Sequence, residues 1–210
     1  MAARIRDLGR RIELVSMDPH HKGISIGLYE TEAEGRFLLH SYSQLDGSAD
    51  RVARLGAAVI TCTGLAPLGD KGRLGFACGA RHGTAVRRIF LDAAKRDPKE
   101  PLETPAMAIF DKKTERNVVV TGDGKGGYTV TADGPVEDRD KRIGAIAKGL
   151  ARLAEMEVVS NDTVRFPCGH AHDAMVGSLL YRALNVRAAI REQEELAARG
   201  MLTAPSAQSE

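Results

Sequence analysis

The chain has 210 residues, of which 43% are hydrophobic, and its 30 basic and 28 acidic residues leave a net charge of only +2. This length allows one domain or two small ones with a substantial core, and the balanced charge argues against a nucleic-acid partner. No apolar run approaches the roughly 20 residues of a membrane helix, and the N-terminal segment lacks a secretory signal. Together with three widely spaced cysteines, these features predict a cytoplasmic protein with reduced thiols and no membrane association.

Alternating β-branched residues predict strands over 11–15 and 23–29, joined by a turn that contains His20 and His21. A third strand is predicted over 36–43. An apolar stripe that includes Leu55 and Val59 then predicts a helix over 49–62. A short strand at 74–77 and an amphipathic helix that ends before Asp97 complete this first unit, which spans 1–97 with its N-terminal extension.

Residues 98–105 are charged and proline-rich and are predicted to form a linker. The second unit, 106–187, is predicted to contain strands over 107–110, 117–121 and 128–131, a helix over 139–156, a strand over 164–166 and a helix from 174 onward. Residues 188–210 form a polar helical extension and tail, which we expect to be exposed or to contact another copy or a partner subunit.

An internal repeat organises this pattern. The segment 76–82, FACGARH, is echoed by 166–172, FPCGHAH, so both the cysteines and the histidines recur after about 90 positions. The echo extends backward, since an Asp-Arg-x-x-Arg motif begins at both Asp50 and Asp138. We therefore predict an internally duplicated α/β fold of two β-β-β-α-β-α units related by approximate two-fold symmetry.

The repeated cysteine and histidine support three alternatives. If a two-fold axis brings Cys78, His82, Cys168 and His172 together, two thiolates and two imidazoles form a ligand set that suits tetrahedral zinc. In each pair the two residues, four positions apart, would lie on the same side of a helix if the first turn is helical, and the helix N-terminus would favour the thiolate.

In the second alternative, one cysteine is a nucleophile activated by its histidine. Cys168 is then the better candidate because His170 and Asp173 flank His172, whereas the first unit has alanine and glycine at those positions. In the third alternative, the Cys-Gly segments only pack strand-helix junctions. Cys62 has no counterpart in the second unit and is interpreted as a core thiol.

The pattern predicts a metal-dependent hydrolase or lyase that acts on a small polar molecule at the repeat interface, with zinc as the metal and Cys168, His172, His170 and Asp173 as the catalytic group. A non-catalytic ligand-binding or assembly subunit and a cysteine-dependent hydrolase or transferase stay open as alternatives. The arginines of the two Asp-Arg-x-x-Arg motifs are interpreted as exposed helix residues, with an anion site as the less favoured alternative.

Overall fold

A computed structural model describes residues 10–16, 25–31, 35–42, 47–68, 73–97, 100–112 and 114–185. These residues form two antiparallel sheets of five strands each and four helices. Within this part of the chain, no helix combines the length and the hydrophobicity that crossing a membrane requires.

The first half contributes one sheet and two helices. Its elements are β1 (Arg10–Ser16), β2 (Ser25–Glu30), β3 (Arg36–Ser41), α1 (Ser48–Thr63), β4 (Ala66–Leu68), β5 (Arg73–Gly75) and α2 (Gly83–Lys95). Helix α1 forms where the apolar stripe predicts it, with Leu55, Val59 and Cys62 buried. It ends at Gly64, which adopts the left-handed conformation that commonly terminates helices.

The second half has the same kinds of element in the same order. They are β6 (Ala108–Asp111), β7 (Arg116–Gly122), β8 (Gly127–Ala132), α3 (Val136–Ala154), β9 (Glu157–Val158), β10 (Thr163–Arg165) and α4 (Asp173–Leu184). The glycine-rich run 122–127 forms a hairpin turn between β7 and β8, because Val119 pairs with Thr131 and Gly122 with Tyr128 across it.

The strand order is the same in both sheets, β1-β2-β3-β5-β4 in one and β6-β7-β8-β10-β9 in the other. Each half is thus β-β-β-α-β-β-α, and the predicted β-β-β-α-β-α order was wrong by one strand. Strand β4 is only three residues long and contains Pro67, and β9 has two residues, so neither produces a recognisable alternating pattern. The two-fold symmetry of the halves stays a prediction.

The helices of one half pack against those of the other. Helix α1 lies against β3 and α2 against β1, while α3 lies against β8 and α4 against β6. Helix α4 also contacts α1 and α2, and α2 contacts α3. The buried side chains of both halves consequently form one continuous hydrophobic cluster.

Polar contacts reinforce this junction between the halves. The Ser178 hydroxyl donates a hydrogen bond to the Cys62 carbonyl at 2.7 Å. Arg182 Nε donates to Asp92 Oδ2 at 2.6 Å, which joins α4 to α2. The two halves therefore share one core. The turns that contain the two repeated cysteines precede α2 and α4, and these two helices contact each other.

Several predictions concern residues outside the described ranges. These are the turn with His20 and His21, the beginning of the linker at 98–99, and the C-terminal extension and tail over 188–210.

Candidate metal centre

Both cysteines of the repeat lie in tight turns that follow a strand. Cys78 comes after β5 and Cys168 after β10, and each is followed by a glycine with positive φ, 71° at Gly79 and 69° at Gly169. The Gly79 N–H donates to the Phe76 carbonyl at 3.1 Å, and the second turn closes in the same way at 3.0 Å. Glycine suits the position after the cysteine because side-chain-bearing residues adopt this conformation only with strain.

The two histidines directly precede helices. His82 is followed by α2, which begins at Gly83, and His172 by α4, which begins at Asp173. The segment between each cysteine and its histidine is not helical, so the condition under which a helix would align the two side chains is not met. The glycine turn reverses the chain after the cysteine instead, so the thiol and the imidazole approach each other before the helix starts.

The four side chains of the repeated motif converge on one point. Cys78 Sγ lies 3.5 Å from His82 Nε2 and 3.6 Å from His172 Nε2. Cys168 Sγ lies 3.3 Å from His172 Nε2. All four potential ligand atoms are within 4.8 Å of one another, and together they form a group that can hold a metal ion.

These separations match the edges of a small coordination tetrahedron. With Zn–S bonds of about 2.3 Å and Zn–N bonds of about 2.0–2.1 Å, tetrahedral angles place sulfur and nitrogen ligands about 3.5 Å apart. The three sulfur–nitrogen distances, 3.3, 3.5 and 3.6 Å, bracket this value. These three spacings agree with one ion bound between the sulfurs and nitrogens.

A two-iron cluster fits this spacing less well. In clusters with two cysteine and two histidine ligands, the cysteines bind one iron and the histidines bind the other. The intervening irons and sulfides would then separate each sulfur from each nitrogen. Cys78 Sγ instead contacts the imidazoles of both His82 and His172.

Both imidazoles are buried, and burial keeps them neutral. It lowers the pKa of His82, and it lowers the pKa of His172 to about 4, with the neighbouring His82 adding to the effect. A neutral imidazole has a nitrogen lone pair available for a metal. The electrostatics of the site therefore favour the protonation state that coordination requires.

The environment of Cys78 differs from the prediction. Burial raises the pKa of this thiol, although the Ala80 N–H, 3.3 Å from Cys78 Sγ, acts in the opposite direction. The expected lowering by a helix N-terminus is not found, because the cysteine lies in the turn and four positions before the histidine that precedes α2. Without a cation, the site thus favours the protonated form of Cys78.

Two phenylalanines flank the imidazoles, and sequence reasoning gave them no role. The Phe76 ring lies 5.1 Å from the His82 ring and 5.2 Å from that of His172, measured between centroids. Phe166 makes the corresponding contacts at 5.2 and 4.8 Å. All four contacts are edge-on, so the apolar rings restrict how the imidazoles can rotate. Both phenylalanines occupy equivalent positions of the repeated motif, and this repetition is the sequence signal that could have identified them.

A glycine immediately before the third strand of each half lies against the cysteine turn of that half. Gly35 has a φ of 71°, and a Cβ there would lie 2.8 Å from the Ala80 carbonyl oxygen. Gly126 has a φ of 83°, and a Cβ there would lie 2.9 Å from the His170 carbonyl oxygen. Each precedes the third strand of its half. These close backbone approaches connect distant segments, and sequence reasoning missed both glycines.

Tyr128 supports the cysteine–histidine pair of the second half only. Its hydroxyl accepts a hydrogen bond from the His172 backbone N–H at 2.6 Å and donates one to Asp173 Oδ1 at 2.9 Å. Burial raises the pKa of Tyr128, so the hydroxyl remains a donor. Asp173 therefore helps to position the backbone of a potential ligand.

His170 lies at the rim of the site. Its side chain is exposed, and its Nδ1–H donates to the Cys168 carbonyl at 2.7 Å within the same turn. The predicted catalytic roles of His170, Asp173, Cys168 and His172 stay predictions.

The arginines of the two Asp-Arg-x-x-Arg motifs have different surroundings in the two halves. Arg142 points to Asp111, with Nη2 2.6 Å from Oδ2, whereas Arg54 is exposed and lines a surface groove with Arg51 and Arg96. Cys62 is buried in the core, as interpreted from the sequence.

Comparisons of the chain with protein-family models, with curated proteins and with solved structures found no match.

Proposed function

We propose that this protein binds one zinc ion through Cys78, His82, Cys168 and His172, and that the ion holds the two halves of the fold together. The observation that carries the proposal is the spacing of the ligand atoms, with three sulfur–nitrogen distances between 3.3 and 3.6 Å. Two thiolates and two imidazoles in tetrahedral spacing are a donor set that zinc prefers.

A structural role agrees with the number of ligands. Catalytic zinc sites usually have three protein ligands and an open position for water or substrate, whereas structural sites have four protein ligands. Here four side chains offer ligand atoms that all lie within 4.8 Å of one another. Binding energy would then appear as folding energy, because an unfolded chain does not hold the ligands together.

The distribution of the ligands explains what the ion would stabilise. Cys78 and His82 belong to the first half, and Cys168 and His172 belong to the second. We propose that the halves arose by internal duplication and are related by an approximate two-fold axis through the metal. The shared strand order, the paired phenylalanines and the equivalent contacts of Gly35 and Gly126 support this proposal.

Metal analysis of protein purified without an affinity tag tests the proposal. We expect one zinc per chain, and we expect Cys78→Ser and Cys168→Ser to lose stoichiometric zinc while Cys62→Ser retains it. Chelation should lower the unfolding temperature of the wild-type protein, and added zinc should restore it. Wild-type protein that is folded, fails to bind added zinc and is as stable with chelator as without it would contradict the proposal.

A zinc-dependent hydrolase or lyase is the second candidate. It is favoured by the exposed side chains of His170 and Asp173, which lie beside the centre in the second half only. This function requires a coordination position that water or substrate can occupy. The visible spectrum of the cobalt-substituted protein distinguishes the candidates. A spectrum unchanged by azide or cyanide indicates the closed structural site, and a spectrum that shifts with these small anions indicates an open one.

A further inference from the structure

The cysteines and histidines of the candidate site differ in the exposure of the whole residue. His82 and His172 are buried, whereas Cys78 and Cys168 are only half-buried. The two cysteines are therefore the more exposed residues of the four. Cys62, the remaining cysteine, is 3% exposed and lies in the core.

The two sulfurs are also close enough to react with each other. They belong to the set of atoms that lie within 4.8 Å of one another, and they are carried by turns rather than by helices or strands. A disulfide needs a sulfur–sulfur distance of about 2.05 Å. Disulfide formation therefore requires the two sulfurs to approach each other over the remaining interval.

The hydrogen bonds of the two cysteines are unequal. The Ala80 N–H points to Cys78 Sγ at 3.3 Å. Among the described residues, no backbone N–H donates to Cys168 Sγ, whose contacts are with His172 Nε2 and the His170 carbonyl. A hydrogen bond to a thiolate withdraws electron density and reduces its nucleophilicity. Cys168 is accordingly the more reactive sulfur of the pair.

We propose that Cys78 and Cys168 form an oxidative modification site for small hydroperoxides, in which Cys168 reacts first and Cys78 then closes a disulfide that releases the metal. This proposal rests on the proposed zinc site, because it describes how that site would be regulated. According to this proposal, the unequal hydrogen bonds of the two cysteines determine which sulfur is oxidised first.

The reaction balances as two steps. The Cys168 thiolate attacks one peroxide oxygen, so that an S–O bond forms, the O–O bond breaks and the departing hydroxide takes up a proton to become water. The Cys78 thiolate then attacks the sulfur of the Cys168 sulfenic acid. An S–S bond forms, the S–O bond breaks, and the departing hydroxide takes up a proton to become a second water. Two thiolates lose two electrons in total, hydrogen peroxide is reduced to two waters, and two protons are consumed.

The disulfide removes half of the coordination sphere. A cystine sulfur is a poor ligand compared with a thiolate, and only His82 and His172 would remain. The metal would consequently leave, and the halves would be joined by a covalent bond in place of a coordination bond. A thiol reductant together with zinc should reverse the change.

Treatment of the zinc-loaded wild-type protein with hydrogen peroxide tests this proposal, with zinc release followed by a chromogenic chelator and disulfides mapped by mass spectrometry without reduction. We expect one Cys78–Cys168 disulfide for each zinc released, the same disulfide in Cys62→Ser, and recovery of zinc binding after dithiothreitol. Zinc release without this disulfide, or a disulfide that involves Cys62, would overturn the proposal, as would retention of zinc and free thiols under excess peroxide.

The order of oxidation is tested with a sulfenic-acid probe in the two variants Cys78→Ser and Cys168→Ser, each of which also retains the buried Cys62. We expect several-fold faster labelling at Cys168 in Cys78→Ser than at Cys78 in Cys168→Ser, and equal or reversed rates would contradict the assigned order. Because these variants lose a ligand, circular dichroism first establishes that they are folded, and chelator-treated wild-type protein provides a second comparison of the two sulfurs. A preparation that binds no zinc would contradict the proposed function, whereas the disulfide could still be measured on the metal-free chain, so the two failures are distinguishable.

Discussion

The Tyr128 hydroxyl accepts a hydrogen bond from the backbone N–H of His172 at 2.6 Å, across 44 positions of sequence. This contact fixes the backbone of one potential ligand at the point where α4 begins. The first half has Phe37 at the corresponding position of its third strand and so provides no equivalent hydroxyl there. The two histidines are therefore held by different means.

Replacing Tyr128 with phenylalanine should weaken metal binding. The change leaves the His172 N–H buried without this acceptor, and outer contacts of this kind typically contribute about 10–100-fold to metal affinity. A zinc competition titration with a chelator of known affinity measures the loss. Tyr181→Phe is the matched control, because Tyr181 is 66% exposed and should be neutral. Equal affinities for the two variants would show that Tyr128 does not position His172.

Alanine at Gly126 should destabilise the fold more than alanine at Gly124. Both glycines have positive φ, 83° and 74°, so both variants bear the left-handed cost of about 1–2 kcal/mol. Only at Gly126 does a Cβ meet backbone, 2.9 Å from the His170 carbonyl oxygen, whereas nothing lies within 4 Å of one at Gly124. Crowding should therefore destabilise the Gly126→Ala variant by about 1–3 kcal/mol more than the Gly124→Ala variant. Urea denaturation of both variants measures this difference in the free energy of unfolding. Similar losses at both positions would contradict the close approach.

Replacement of Asp111 should lower the free energy of unfolding, because Arg142 then lacks the carboxylate with which it pairs. The guanidinium donates to Asp111 Oδ2 from Nε at 2.9 Å and from Nη2 at 2.6 Å, and only 5% of the Asp111 side chain is exposed. Asp111→Ala should reduce the free energy of unfolding by about 3–5 kcal/mol. Asp140→Ala removes the exposed pair with Arg139 and should cost less than about 1 kcal/mol. The same denaturation experiment compares them, and a small loss at Asp111 would refute the assignment of a buried pair.

The charge of Asp123 should make stability depend on pH at the acidic end. Its Oδ1 accepts hydrogen bonds from the Lys125 and Gly127 N–H groups at 2.7 and 2.8 Å, which lower the pKa of this exposed carboxyl below its usual value of 3.8. A carboxyl with a lowered folded-state pKa stabilises the protein above 3.8, and this stabilisation is lost as the pH falls through the folded-state pKa. Asp123→Asn keeps a neutral acceptor and lacks the charge.

Chelator-treated wild-type and Asp123→Asn proteins should therefore differ in unfolding free energy at neutral pH, and this difference should shrink as the pH falls below 3.8 through the folded-state pKa of Asp123. Chelation removes the separate pH dependence of metal binding from both. A difference that stays constant from neutral pH down to the acid limit would show that the side chain acts through its shape and not through its charge.

The four residues of the candidate metal site could be predicted from the sequence because the repeat itself marks them. Cys78 and His82 recur at a fixed spacing as Cys168 and His172, and a periodic apolar stripe predicts α1 to within one residue at each end. The geometry that joins the ligands could not be predicted in the same way. It depends on a reversal of the chain at Gly79 and Gly169, whereas a spacing of four residues also fits a helical turn.

The supporting contacts could not be found from local sequence, because they join segments that are distant along the chain. Tyr128 has the alternation expected of any strand residue, and only the packing of β8 beside the second cysteine turn gives its hydroxyl a partner. Similarly, Gly126 is one of several glycines in a hairpin, and its close approach to His170 depends on how the sheet and the turn meet. The short strands β4 and β9 are defined by pairing with β5 and β10 more than by their own composition.

The four potential ligands come as two chemically identical pairs, one from each half, and each pair follows a strand and precedes a helix. A single half therefore supplies only half of a coordination sphere. Two copies of one such unit, meeting through their helices, would supply the same set of two thiolates and two imidazoles. If the halves arose by duplication, as proposed, an ancestral homodimer of one unit would have been able to form the same site without a peptide that connects the two copies.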